Sequence, residues 1–284
     1  MMSPMPSPAL PLLTSVANPR IKAASALRDR RERDRAGLTL VDGARELRRA
    51  LDAGVVVVEV FACEPLLAGA DARLALDQLR VRGVPTQPVS ETVFARLAFG
   101  QRAEGLVAVV RVPSASLDDL ALPDRPLVVV VEAVEKPGNL GAILRSADGA
   151  GADAVIAASA RTDLYNPNTI RASAGTIFAQ PLAAAGTGEV RAWLAARGVR
   201  IITARVDAEQ AYTDADLTGS VALVVGAEAE GLSDDWRGPE MDAVRIPMLG
   251  VADSLNVSVS AAILLYEARR QRDRPSSTAN SPKR

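Results

Sequence analysis

Three short loops in the second half of this chain collect most of the side chains able to do chemistry. The first is Glu135-Lys136-Pro137-Gly138-Asn139-Leu140-Gly141, with Arg145 one helical turn beyond Gly141. The second is Gly226-Ala227-Glu228-Ala229-Glu230-Gly231-Leu232. The third runs from Leu249 to Asn256 and carries Ser254 and Asn256 as short hydrogen-bonding groups. The second loop has acidic residues between its glycines and no following GK[ST], so it is neither a dinucleotide fingerprint nor a P-loop. A carboxylate in that loop could bind an amine, a hydroxyl or a cation. The chain has no histidine and a single cysteine, Cys63. That removes the usual general base, the usual triads and any cysteine-cluster metal site. Each loop also has a plainer reading. Arg145 is spaced to pair with Asp148. Glu228 could face a helix over 231–236. Ser254 could be only an N-cap, worth roughly 1 kcal/mol.

The elements that must position these loops follow from the apolar pattern. The run LVVVV at 127–131 is typical of a strand covered on both faces of a parallel sheet. Strands are predicted at 154–157, 199–204 and 221–225, with helices at 140–150, 168–174 and 188–197. Strand and helix alternate, which indicates a doubly wound parallel sheet, and ligands in such sheets bind beyond the carboxyl ends of the strands. All three loops lie there. A strand-like fragment at 244–248 precedes the third loop. A helix over 256–271 follows it, apolar until Glu267, with Arg269, Arg270 and Arg272 suited to its negative end. A helix this apolar must be buried against its own chain or a partner.

The first half reads as a smaller α/β domain over 15–112, with strands at 38–41, 55–61, 84–89 and 106–112. Between Arg20 and Arg49 stand ten basic and five acidic residues. This is either a solvated helix face or a patch that tracks phosphates. The polar loop from Phe99 to Gly105 is either a ligand contact or an exposed connector. Residues 113–125, rich in proline, serine and aspartate, are the linker candidate. The proline-rich lead at 1–14 and the tail at 273–284 are expected to be disordered.

The 284 residues are 48% apolar but only 3% aromatic, and the formal net charge is −1. Globally basic nucleic-acid binding is therefore not indicated. The N-terminus has no basic n-region, and no apolar run of about 18 residues occurs, so neither a signal peptide nor a transmembrane helix is expected. The default location is cytoplasmic.

NLGAILR, VVGAEAEGL and IPMLGVADSLNVSVSAAILLYEARRQR resemble, in order, the three motifs of the SpoU/TrmH family of RNA ribose 2′-O-methyltransferases. The resemblance spans about 126–272. The 15–112 region is similar to the substrate-binding domain that many members carry, with Asp42 where a glutamate is more usual. The resemblance implies methyl transfer from S-adenosylmethionine to a ribose hydroxyl without a metal. It also implies a deep trefoil knot in the C-terminal domain, a homodimer with the last helix at its interface, and RNA as substrate, rRNA ahead of tRNA. By the same resemblance Arg145, Asn139, Glu228, Ser254 and Asn256 form the catalytic site, and Gly226, Ile246, Met248 and Leu255 surround the cofactor.

Overall fold

The valine run at 127–131 becomes a strand buried along its whole length, and the second half of the chain is built round it. The computed structural model describes residues 10–99, 104–227 and 230–274. In chain order the first elements are α1 (Pro19–Ala26), α2 (Arg30–Ala36), β1 (Leu38–Asp42), α3 (Ala44–Asp52), β2 (Val57–Ala62), α4 (Gly69–Val81), β3 (Thr86–Pro88), α5 (Glu91–Leu97) and β4 (Leu106–Arg111). Then follow β5 (Leu127–Glu132), α6 (Pro137–Ala150), β6 (Ala154–Ala158), α7 (Pro167–Ala172), β7 (Leu182–Ala185) and α8 (Thr187–Ala196). The last are β8 (Arg200–Ala204), β9 (Gln210–Ala211), β10 (Val221–Val225), β11 (Met241–Arg245) and α9 (Val257–Arg272).

Two units form. One holds the chain up to Pro113 together with Tyr165–Ala179; the other holds Ser114–Leu164 and the chain from Gln180. The first contains a mixed sheet in the order β1-β4-β2-β3. Ile21, Leu40, Phe61, Phe94 and Val107 lie in its core. Residues 11–13 are not a loose lead. Leu13 donates to the Pro88 carbonyl at 3.0 Å and accepts from Ser90 N–H, so this strap covers the open edge of β3. The Tyr165–Ala179 excursion interrupts the expected 126–272 span and packs within this first unit. Thr39 Oγ1 donates to the Tyr165 carbonyl at 2.7 Å, and an Arg49 guanidinium nitrogen donates to the Ala174 carbonyl at 2.7 Å.

The second unit is a seven-stranded sheet in the order β7-β6-β5-β10-β8-β11-β9, parallel throughout. β5 and β10 sit side by side, with Val131 level with Val225, so the loops that leave them start together. Leu117 and Leu120, in the stretch expected to be a linker, are buried in this unit's core. The strand expected at 244–248 ends at Arg245, because Pro247 cannot donate to a ladder. β7 was not visible as a strand: its sequence LAAA lacks β-branched residues, and pairing with β6 supplies the order. The helix expected over 231–236 shrinks to one 3-10 turn, Asp234–Trp236, anchored by Trp236 at 1% exposure.

Arg272 does more than suit the helix dipole. Its guanidinium donates to the carbonyls of Leu217, Arg125, Pro126 and Gly219 and so fixes the end of α9 beneath the sheet's central strands. No helix among the described residues is long and apolar enough to cross a membrane.

Candidate active site

Two helix N-termini build the centre of the site. Pro137 occupies the first position of α6, where its missing N–H costs nothing, and Asn139 stands two residues further on. At α9 the N-cap is Asn256, not Ser254. Asn256 has extended backbone angles, and its Oδ1 accepts from Ser258 N–H at 2.9 Å and from Ser258 Oγ at 2.6 Å. This cap fixes which way the amide points. Its Nδ2 then donates to Asn139 Oδ1 at 3.3 Å.

Beyond the carboxyl ends of the strands lie two cavities that share a wall. The first measures about 340 Å³, and Gly226, Ile246, Met248, Ser254 and Leu255 all line it. Val225, Ala227, Glu230, Gly231, Asp253, Val257 and Arg205 complete much of the lining. The second, about 300 Å³, is lined by Val131, Val134, Glu135, Lys136, Asn139 and Arg161. Gly226, Ala227, Glu230 and Val257 border both. Arg161 joins the first two loops: it pairs with Glu135 at 2.6 Å and with Glu230 at 3.2 Å. The Glu135 hydrogen bond, reinforced by Glu230, holds the guanidinium pKa above its ordinary value.

Gly226, Ala227 and Glu230 stand between the cavities, and Gly231 closes back on Ala227. Gly231 N–H donates to the Ala227 carbonyl at 2.9 Å. A Cβ on Gly226 would overlap the backbone of Gly231 and Leu232, so only glycine permits this close return.

The structure therefore brings Asn139 and Ser254 to the cavities together with Gly226, Ile246, Met248 and Leu255, while Asn256 lines neither cavity and reaches the site through its bond to Asn139. Arg145 lines neither one. It is exposed on α6, and among the described residues no ion pair joins it to Asp148. Six residues at about 100° each turn it to a different side of the helix from Asn139. Glu228, and the 100–103 part of the Phe99 loop, lie outside the described residues. Arg161 escaped the sequence reading: it carried no signal, because its partners Glu135 and Glu230 are remote in sequence.

Residues 126–266 match the SpoU rRNA Methylase family. A 23S rRNA (uridine(2479)-2′-O)-methyltransferase of Streptomyces viridochromogenes is 34% identical over 256 residues, 87% of each chain. The chain belongs to the SpoU rRNA methylase family. Residues 18–108 of this SpoU-family chain match the MRM3-like substrate binding domain. A solved RNA 2′-O ribose methyltransferase superposes with a TM-score of 0.82 at 42% identity, covering 92% of this chain and 99% of that one. An AdoMet-bound rRNA methyltransferase from Sinorhizobium meliloti gives 0.83 at 29% identity, covering 92% and 98%.

The lining of the 340 Å³ cavity fits S-adenosylmethionine. Its size falls within the range of small-molecule sites. Ile246, Met248, Leu255 and Val257 offer apolar surface to an adenine, while Glu230 and Asp253 offer carboxylates to hydroxyl or ammonium groups.

Proposed function

We propose that this SpoU-family chain is a cytoplasmic homodimer that methylates a ribose 2′-hydroxyl of 23S rRNA with S-adenosylmethionine as donor. The observation that carries this reading is the donor-sized cavity sharing a wall with the Asn139 cavity. When bound, S-adenosylmethionine supplies a methyl group already activated on a sulfonium, so the protein's task is positioning and hydroxyl activation.

Gly226, Ile246, Met248 and Leu255 hold the donor. Asn139, oriented by Asn256, aligns the acceptor ribose. Arg145 stays protonated near neutral pH. From the exposed side of α6 it orients the hydroxyl and stabilises the developing alkoxide. Ser254 and Glu228 complete the polar groups of the site. The trefoil knot of the family underlies the close meeting of the 226–231 and 246–256 segments. The first unit binds RNA, with the Arg20 to Arg49 stretch on phosphates.

The homodimer reading draws on apolar surface around the third loop. Leu249 and Val251 are fully exposed, and Val259 and Tyr266 of α9 are half exposed. A second copy over this face would cover them. Light scattering on the purified protein should give twice the chain mass; a monomer would remove the dimer from the proposal.

Ribose-methylation mapping of total rRNA and tRNA from cells with and without the gene tests the reaction. One 2′-O-methyl site lost from large-subunit rRNA is the expected result. A lost tRNA site would transfer the same chemistry to another substrate, and no lost site would count against the reading.

A further inference from the structure

We infer that Glu132 is a positioning residue for the donor cavity: its carboxylate grips Ser233 and thereby fixes the outgoing end of the 226–231 loop against the end of β5. The inference rests on the function proposed above. Glu132 closes β5 and is 4% exposed. It lines neither cavity, and neither does Ser233.

Both carboxylate oxygens are committed. Oε2 accepts from Ser233 N–H at 2.8 Å, while Oε1 accepts from Ser233 Oγ at 2.7 Å and from Thr187 Oγ1 at 3.1 Å. The donor order is determined. Ser159 Oγ accepts from Thr187 N–H at 3.1 Å, so its own hydroxyl is free to donate to Thr187 Oγ1 at 2.9 Å, which passes its proton's bond on to Glu132. Every one of these donors is neutral. Stability alone is a poor reason for such a group, because burying a carboxylate on neutral partners costs desolvation that an apolar residue avoids.

The backbone around it is held under strain. Ala133 (φ 50°) and Ser159 (φ 46°) are non-glycine residues in the left-handed region, one at the end of each adjoining strand. Such conformations persist where surrounding bonds over-determine them, and they concentrate at functional sites.

The loop itself shows what the grip accomplishes. Its incoming end is Val225, locked into the sheet beside Val131. Its outgoing end has no strand to continue into; the bonds of Ser233 to Glu132 hold it, with buried Trp236 three residues further on. Among the described residues between these ends, Gly226, Ala227, Glu230 and Gly231 line the donor cavity. The carboxylate therefore sets the cavity's shape without touching its occupant.

Calorimetric titration of full-length protein with S-adenosylmethionine, alongside thermal melting and steady-state kinetics, tests this. E132Q puts an amide NH₂ against one of the donors. Its dissociation constant for S-adenosylmethionine should rise about tenfold. S233A, which removes a single hydroxyl and keeps the backbone bond, should raise it by a smaller factor and raise KM for the donor, with kcat restored at saturation. S233T keeps the hydroxyl and should bind as the wild type does. A merely structural role would lower the melting temperature and the active fraction, hence kcat, and leave KM unmoved. Variants E132Q and S233A with wild-type donor affinity would overturn the inference alone. A wild type that binds no S-adenosylmethionine would overturn the proposed function and this inference with it.

Discussion

Asn256 Nδ2 donates to Asn139 Oδ1 at 3.3 Å, linking two helix N-termini 117 positions apart in the chain. The bond is directed by a local one. Because Asn256 Oδ1 already accepts from Ser258 N–H, only the amide nitrogen is left to face Asn139. α6 and α9 pack against each other, so the pair joins elements that are already neighbours.

The two bonds separate by mutation. N256A should lose about 1 kcal/mol of stability with the cap, and methyl transfer as well. N256D keeps an acceptor for the cap but has no donor for Asn139. It should melt near the wild type and transfer methyl groups slowly. Melting curves and single-turnover methylation read the two effects; an N256D enzyme of full activity would show that the Asn139 contact is dispensable.

Arg145 lies outside both cavities, so its loss should separate chemistry from donor binding. R145A is expected to lower kcat by about a hundredfold or more, as for loss of a group stabilising developing negative charge. Donor affinity by calorimetry should stay within a few fold. R145K, which keeps the charge without the fork of donors, should recover only part of the activity. Loss of donor binding in R145A would contradict the assignment.

Two glycines of the site loops make a controlled pair. A methyl at Gly226 collides with the returning backbone, whereas nothing lies within 4 Å of a Cβ at Gly138. G226A should weaken donor binding about tenfold or more, the loop having to open to admit the side chain. G138A should fold and bind normally. Equal behaviour of the two variants would mean that the loop does not shape the cavity.

Asp42 makes stability depend on pH. Burial, the largest influence, pushes its carboxyl up to about 6 from 3.8, against the pull of Phe99 N–H and Arg171 and with the help of Glu104 and Glu46. Its Oδ2 accepts from Phe99 N–H at 2.6 Å and pairs with Arg171 at 3.2 Å, while Oδ1 is buried without a partner among the described residues. Between the two pKa values the folded state binds the proton and the unfolded state does not. Asp42 therefore costs stability at neutral pH, and that cost is relieved as pH falls through about 6 towards 4. D42N cannot titrate. Urea unfolding should show the wild type gaining on D42N between neutral pH and about pH 5; a constant difference would show that Asp42 does not titrate there.

The sequence by itself determined the local and the periodic. LVVVV announced a strand covered on both faces, and the pattern from Leu140 announced α6, although its first turn begins at Pro137. The apolar body and terminal arginines of α9 announced a packed helix, and the absence of histidine removed whole classes of chemistry. These are properties of neighbouring residues, fixed by backbone sterics and side-chain period. Only the tertiary structure decided which distant groups meet. Spacing offered Ser254 as the cap of α9, whereas the folded chain uses Asn256. Spacing also could not show that the 165–179 segment leaves the second unit and packs beside β1. The grip of Glu132 on Ser233 spans 101 positions, and Arg161 reaches across 69 to Glu230. Contacts of that separation depend on the order of strands in the sheet. That order is settled by the burial of whole faces against one another, which no short stretch of sequence contains.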